Sequence, residues 1–173
     1  TIPITTTGTP SIPVTIGTST KTANLKVAVS NSSVAVFSYT IVEGDLDTDG
    51  IAVGTIISLN EGTIKDQFDT DALLTLNNVG AGTNVKVDGV RPVPTIASTA
   101  VALVNGSFNV VFEFSESVTG LILGDIAVTN GTASNFTNIT AGTKWSAEIT
   151  PTADGTVTVN LPAGAANDSP GNT

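Results

Sequence analysis

The chain of 173 residues is 40% hydrophobic and only 12% charged, and its formal net charge is −9. It has no histidine, cysteine or methionine, so imidazole bases, thiol nucleophiles, disulfides and soft-metal sites are excluded. Six basic residues are too few to neutralise the phosphates of a nucleic acid. No apolar run reaches the roughly 20 residues that insert across a membrane. The chain opens with neither Met nor a signal-peptide pattern, and we expect a mature or excised piece of a longer protein with a folded core.

The first half predicts β-strands at short segments of β-branched and aromatic residues. These segments are 27–29 and 34–41, each of strand length. No segment of the chain shows a sustained apolar helix period. The first half is therefore predicted to be β-structure.

An acidic run at residues 44–50 is the most chemically specific feature of the chain. The run consists of carboxylates at every second position, followed by a glycine: Asp45, Asp47, Asp49 and Gly50. The spacing matches the opening of an EF-hand loop, but Ile56 stands where that loop needs a bidentate Glu. Two interpretations remain. The run is either a β-loop calcium site, with Glu43 or Glu61 as a further ligand, or a solvated turn. Mutual repulsion of close carboxylates favours a bound cation.

A boundary is predicted where residues 87–94 interrupt the strand pattern with Gly89, Pro92 and Pro94. Such a segment is typical of a short, stiff linker. We predict one domain at residues 1–90 and a second at residues 91–173.

The second half alternates apolar and polar residues more regularly. In 108–114 one face carries four apolar side chains, whereas Glu113 faces solvent: Phe108, Val110, Phe112 and Phe114. Trp145, Ala147 and Ile149 alternate with polar residues in the same way. The pairs at 130–131 and 154–155 predict hairpin turns. Many short strands between turn signals indicate antiparallel β-sandwiches.

Several stretches of the second half share a wider pattern: 112–120, 125–131, 149–157 and 161–168, with Gly171 and Asn172. Together they resemble the bacterial Ig-like repeats of large extracellular surface and adhesin proteins. The first half resembles a sister repeat through 39–45, 59–66 and 87–89, and departs from that pattern at 67–71.

The resemblance implies an all-β chain of two tandem immunoglobulin-like antiparallel β-sandwich domains. It implies a non-catalytic structural module of an extracellular cell-surface, filament or adhesin protein, with neighbouring copies or repeats as partners. Related arrays often bind calcium at domain junctions. The junction ligands expected here are Asp88, Glu116 and Asp125, with Asp66 from the first domain near two further acidic residues, Asp69 and Asp71. Plain surface acidity is the alternative, and Asp168 is expected to shape a turn.

Against these repeats, both ends of the chain lack strands. The first half begins partway through its repeat near residues 7–10, and the second stops after 168–172, where a last strand is expected. A sandwich without an edge strand leaves an apolar groove and unpaired backbone groups. Either the chain is cut from a tandem array, or subunits complete one another head to tail by strand donation. Residues 1–6 would be the donor, with Pro3 restricting them to an edge or bulge.

Other functions fit less well. Glycoside cleavage would use paired carboxylates, but the acidic residues lie in predicted turns and aromatic residues are scarce. The main alternative is a calcium-dependent carbohydrate-binding adhesin module whose partners are host or surface glycans. The Thr-rich composition suggests an ice- or surface-binding module, but no long Thr-x-Thr ladder supports one.

Overall fold

The computed structural model describes residues 2–26, 33–100 and 103–173. Over these residues the chain is all-β, with one short 3-10 turn at Leu123–Asp125, and every paired strand is antiparallel. The chain divides into two compact units, Thr1–Gly89 and Val90–Thr173, called here the first and second units. The strand predicted at residues 27–29 lies outside the described residues.

The first unit contains short strands: β1 (Ile4–Thr7), β2 (Ser11–Ile16), β3 (Ser19–Lys26), β4 (Val36–Ser38), β5 (Leu46–Asp47), β6 (Ala52–Val53), β7 (Thr63–Asp66) and β8 (Val87–Asp88). Its largest sheet has the order β4-β3-β2-β6, and β1–β7 and β5–β8 form two-stranded sheets. A small core is built by Val14, Ile16, Ala23 and Val87.

One prediction for the first unit needs correction. The strand predicted at 34–41 is reduced to β4, which pairs with β3 from Val36 to Ser38 before the chain turns between Val42 and Asp45. The N-terminal segment, expected as a strand donor, pairs within the first unit in this structure: β1 lies beside β7 from Ile4 opposite Asp66 to Thr7 opposite Thr63.

The second unit is a sandwich of two sheets. Its strands are β9 (Pro94–Ser98), β10 (Phe108–Phe114), β11 (Ala127–Thr129), β12 (Gly131–Thr140), β13 (Lys144–Pro151) and β14 (Thr158–Asn160). The larger sheet has the order β12-β13-β10-β9, and the smaller one pairs β11 with β14. Strand β12 is irregular, with register shifts between Ser134 and Thr137 and between Asn138 and Thr140.

The predicted alternation in the second unit is confirmed. Val110, Phe112 and Phe114 of β10 are buried, as are Trp145, Ala147 and Ile149 of β13. Outward-facing Glu113 forms an ion pair with Lys144, with Nζ and Oε2 2.9 Å apart. A period of two therefore places the apolar side chains between the sheets, because successive strand residues face opposite sides.

The two predicted hairpin turns are wrong. Asn130 joins β11 to β12, and Asp154 and Gly155 lie between β13 and β14, but each of these strand pairs is divided between the two sheets. Pairing of β11 with β14 places both connections at crossings from one sheet to the other. The second unit does contain a hairpin, which joins β12 to β13 through Gly142 at φ 75°.

Candidate functional site

Asp45, the first carboxylate of the acidic run, is buried with only 3% of its surface exposed. Its Oδ1 lies 2.6 Å from the Nζ of Lys21. Its Oδ2 accepts hydrogen bonds from the Tyr39 hydroxyl at 2.8 Å and the Val42 backbone N–H at 3.0 Å. The Lys21 ammonium and these donors lower the pKa of Asp45 to about 2, because they stabilise the charged form.

Asp47 is also buried, and it is surrounded by backbone donors. The N–H of Gly17 donates to its Oδ2 at 2.7 Å, and the N–H groups of Asp49 and Gly50 donate to its Oδ1 at 3.2 and 2.6 Å. The bonds from Gly17 and Gly50 lower the pKa of Asp47. A side chain at Gly50 is excluded, because φ is +114° and a Cβ would lie 2.4 Å from the Cα of Thr83.

The acidic run is thus held by protein donors. Among the described residues, Asp45, Asp47 and Asp49 do not bring three ligand oxygens within reach of one ion. A cation at Asp45 would have to displace the Lys21 ammonium, and the donors on Asp47 already relieve the repulsion between neighbouring carboxylates. These residues fit calcium poorly. The turn interpretation describes the run better, although Asp45 and Asp47 are buried and not solvated.

Other predicted ligands also anchor turns. Asp66 accepts the N–H groups of Phe68 and Thr70 at 2.8 and 2.9 Å, and the bond from Thr70 is the main cause of its lowered pKa. Asp125 accepts the N–H of Ile122 at 2.9 Å. Asp88 lies in β8, where it pairs with Leu46. Aspartates such as Asp66 and Asp125 replace the missing strand partners of backbone N–H groups.

Asp168 and Glu116 do come together in the second unit. Asp168 is 2% exposed and accepts the N–H groups of Gly171 and Asn172 at 2.8 and 2.7 Å, so it shapes a turn as expected. Burial alone would raise its pKa, but the hydrogen bonds from Asn172 and Gly171 outweigh burial and lower the pKa. Carboxylate oxygens of Asp168 and Glu116 lie within 4.8 Å of each other. Such a pair has the hard oxygen ligands that calcium prefers, although both oxygens of Asp168 already accept hydrogen bonds from Gly171 or Asn172.

The second unit also has an open apolar groove of about 420 Å³. It lies between β9, the edge strand of the larger sheet, and the segment from Gly155 into β14. Its lining residues are uncharged and most have apolar side chains, while polar and apolar atoms contribute similarly to its exposed surface: Ile96, Ser98, Ala100, Leu103, Val104, Phe108, Val110, Gly155, Val157 and Val159. Val110 belongs to the buried core, so the groove reaches from the surface down to the centre of the sandwich.

Both strands that border this groove have an open edge. Within the described part of the chain, β14 pairs only with β11, and β9 pairs only with β10. All residues of β9 are exposed. Open edges present backbone donors and acceptors to any extended segment that enters the groove. Sequence periodicity could not locate this groove, because its position depends on which strands pair within each of the two sheets.

A comparison with protein families identifies residues 88–173 as matching the family described as bacterial Ig-like domain. No curated protein and no solved structure matches the chain. Among the residues that the structure describes, none of the helical segments has the length and hydrophobicity of a transmembrane span.

Proposed function

Because the second unit belongs to the bacterial Ig-like domain family, we propose that this chain is a non-catalytic structural module of an extracellular bacterial surface or fibre protein. Ig-like domains of this kind are typically non-catalytic and commonly occur in surface proteins. The observation that supports the proposal most is the sandwich with an open apolar groove beside β14. The first unit, with its antiparallel sheets and apolar core, is proposed to be a second Ig-like repeat.

Assembly by strand donation is part of this proposal. An extended segment from a neighbouring copy or repeat would add to β14, with backbone hydrogen bonds supplying affinity and the apolar lining selecting alternate side chains. The N-terminal segment has suitable apolar residues at Ile2 and Ile4, but β1 pairs with β7 in this structure. Donation by that segment would therefore require β1 to leave β7 in the donating copy.

Replacing Ile96 with glutamate should prevent such assembly. Ile96 lines the groove and is 39% exposed, so the substitution places a charge where an apolar strand would pack while disturbing the core little. We expect the wild-type protein to form larger species with rising concentration, and Ile96→Glu to remain monomeric at the same concentrations. Sedimentation velocity and electron microscopy would measure both.

Ile139→Glu is the matched control. Ile139 is 55% exposed on β12, the opposite edge strand of the same sheet, and its variant should assemble like the wild type. A wild-type protein that stays monomeric at all concentrations would remove strand donation and leave the Ig-like module standing. Equal assembly by both variants would move the contact away from the groove.

Calcium binding is the second part of the proposal, and Glu116 with Asp168 is the best-placed pair in the second unit. Whether Asp88 joins them at a junction stays a prediction. Calcium that binds the folded state at a hundred times its Kd adds about 2.7 kcal/mol of stability. The Tm of the second unit should therefore rise by several degrees in calcium and fall back with chelator, as measured by Trp145 fluorescence.

Glu116→Gln should abolish this calcium-dependent rise, because it removes one of the two hard ligands. Asp154→Asn removes the same charge from an exposed position of the same unit and should leave the rise intact. An unchanged wild-type Tm at millimolar calcium would refute calcium binding by the folded protein.

A further inference from the structure

We propose that Asn105 is a site of spontaneous deamidation in the folded protein. In this reaction the backbone nitrogen of Gly106 loses its proton and bonds to the side-chain amide carbon of Asn105, and ammonia leaves. Water then adds to either carbonyl of the resulting succinimide and breaks its bond to the ring nitrogen, which yields aspartate or isoaspartate. The reaction needs only water and a side chain free to turn towards the next nitrogen.

The surroundings of Asn105 permit this attack. Asn105 and Gly106 are exposed and lie in the connection between β9 and β10, outside any strand. Neither the Asn105 amide nor the Gly106 N–H makes a hydrogen bond to another residue that the structure describes. Gly106 also has open space around it, since a Cβ placed there would meet no atom within 4 Å. Little therefore opposes the rotation that brings the amide carbon over the Gly106 nitrogen.

The other Asn-Gly pair of the sequence, Asn130-Gly131, is held in place. The Asn130 Nδ2 donates to the carbonyl of Ala153 at 3.0 Å, and its Oδ1 accepts the Thr152 hydroxyl at 3.3 Å. Its own carbonyl accepts the Thr152 N–H at 3.2 Å, and Gly131 pairs with Pro151 in the sheet. Cyclisation at Asn130 must first break these bonds, so it requires local opening of the sandwich.

Deamidation of Asn105 would add a negative charge beside the apolar groove. Asn105 and Asp154 line a neighbouring cavity of about 620 Å³, which shares Leu103 and Val104 with the groove. A second carboxylate would then line the same cavity as Asp154. If the groove accepts a strand, which rests on the proposed function, an aged molecule would accept it less well. The chemistry at Asn105 itself is independent of that proposal.

The test is to incubate the folded protein in mildly alkaline buffer and cleave it after glutamate. Cleavage at Glu113 and Glu116 separates the peptide with Asn105 from the peptide with Asn130. Deamidation is detected as the mass increase from amide to acid and as isoaspartate. We expect it to proceed at least about tenfold faster in the Asn105 peptide than in the Asn130 peptide, since reaction at Asn130 waits for local opening.

Two controls make the result specific. Gly106→Ala should slow the reaction, because the new methyl group hinders attack, whereas it meets no neighbouring atom in the fold. In denaturant both Asn-Gly pairs should react at similar rates. Equal rates at Asn105 and Asn130 in the folded protein, or a Gly106→Ala variant that reacts as fast as the wild type, would overturn the proposal.

Discussion

Replacing Phe112 with alanine is expected to destabilise the second unit by about 3–5 kcal/mol, the range for removing a buried aromatic side chain from a core. Phe112 is fully buried in the core with Val110, Ile126, Ala147 and Ile149. Since small domains are stable by only about 5–15 kcal/mol, much of this unit's stability would be lost. Denaturant unfolding measured by fluorescence of Trp145 would give the change.

Trp145 is a suitable reporter because it is the only tryptophan and packs edge-to-face on Phe114 with ring centroids 5.6 Å apart. Ile139→Ala is the control. Ile139 is exposed on β12, and its truncation should change the free energy of unfolding by no more than about 0.5 kcal/mol. A similar small change for Phe112→Ala would mean that the sheets do not enclose this side chain.

Replacing Asp45 with asparagine should produce the largest loss of stability in the first unit of any single carboxylate removal. It leaves the Tyr39 hydroxyl and the Val42 N–H with an altered partner and removes the charge that pairs with Lys21. Thermal unfolding followed by the absorbance of Tyr39, the only tyrosine, would measure the fall in Tm. Asp71→Asn, at an exposed carboxylate 3.8 Å from Lys65, should have little effect.

The difference between wild type and Asp45→Asn should depend on pH. The folded-state pKa of Asp45 is lowered from 3.8 to about 2, so its stabilising effect is complete above pH 3.8 and is lost as pH falls towards 2. The two proteins should therefore differ most near neutral pH and converge in acid. A gap in Tm that is as large at pH 2 as at neutral pH would show that the charge of Asp45 is not what stabilises the turn.

Strand position and facing could be predicted in the second unit because they follow from local periodicity. The alternation in β10 and β13 needs no knowledge of partners: a strand with apolar residues at every second position has one buried face wherever it lies. By contrast, the hairpins predicted at Asn130 and Asp154 depended on which strands pair. The pairing of β11 with β14 joins segments that are distant in sequence, and turn residues carry no information about that.

The acidic run shows the same limit at a candidate site. Its carboxylate spacing was visible in the sequence, but the identity of the cation beside Asp45 was not, since Lys21 lies in β3 and is brought there by folding. The Thr-rich sequence around Lys21 gives no signal of that contact. The acidic residues therefore indicated that a positive charge or hydrogen-bond donors must lie nearby. In the fold, Lys21 and backbone N–H groups such as that of Val42 fill this role.

The irregular strand β12 makes one edge of the larger sheet a poor template for further pairing. Its register shifts and the positive φ of 50° at Asn135 twist that edge and interrupt its row of backbone groups. A long regular strand there would be a template for indefinite sheet growth of the amyloid type. Sheet growth is therefore disfavoured at β12, whereas β9 at the opposite edge pairs with β10 in an uninterrupted register.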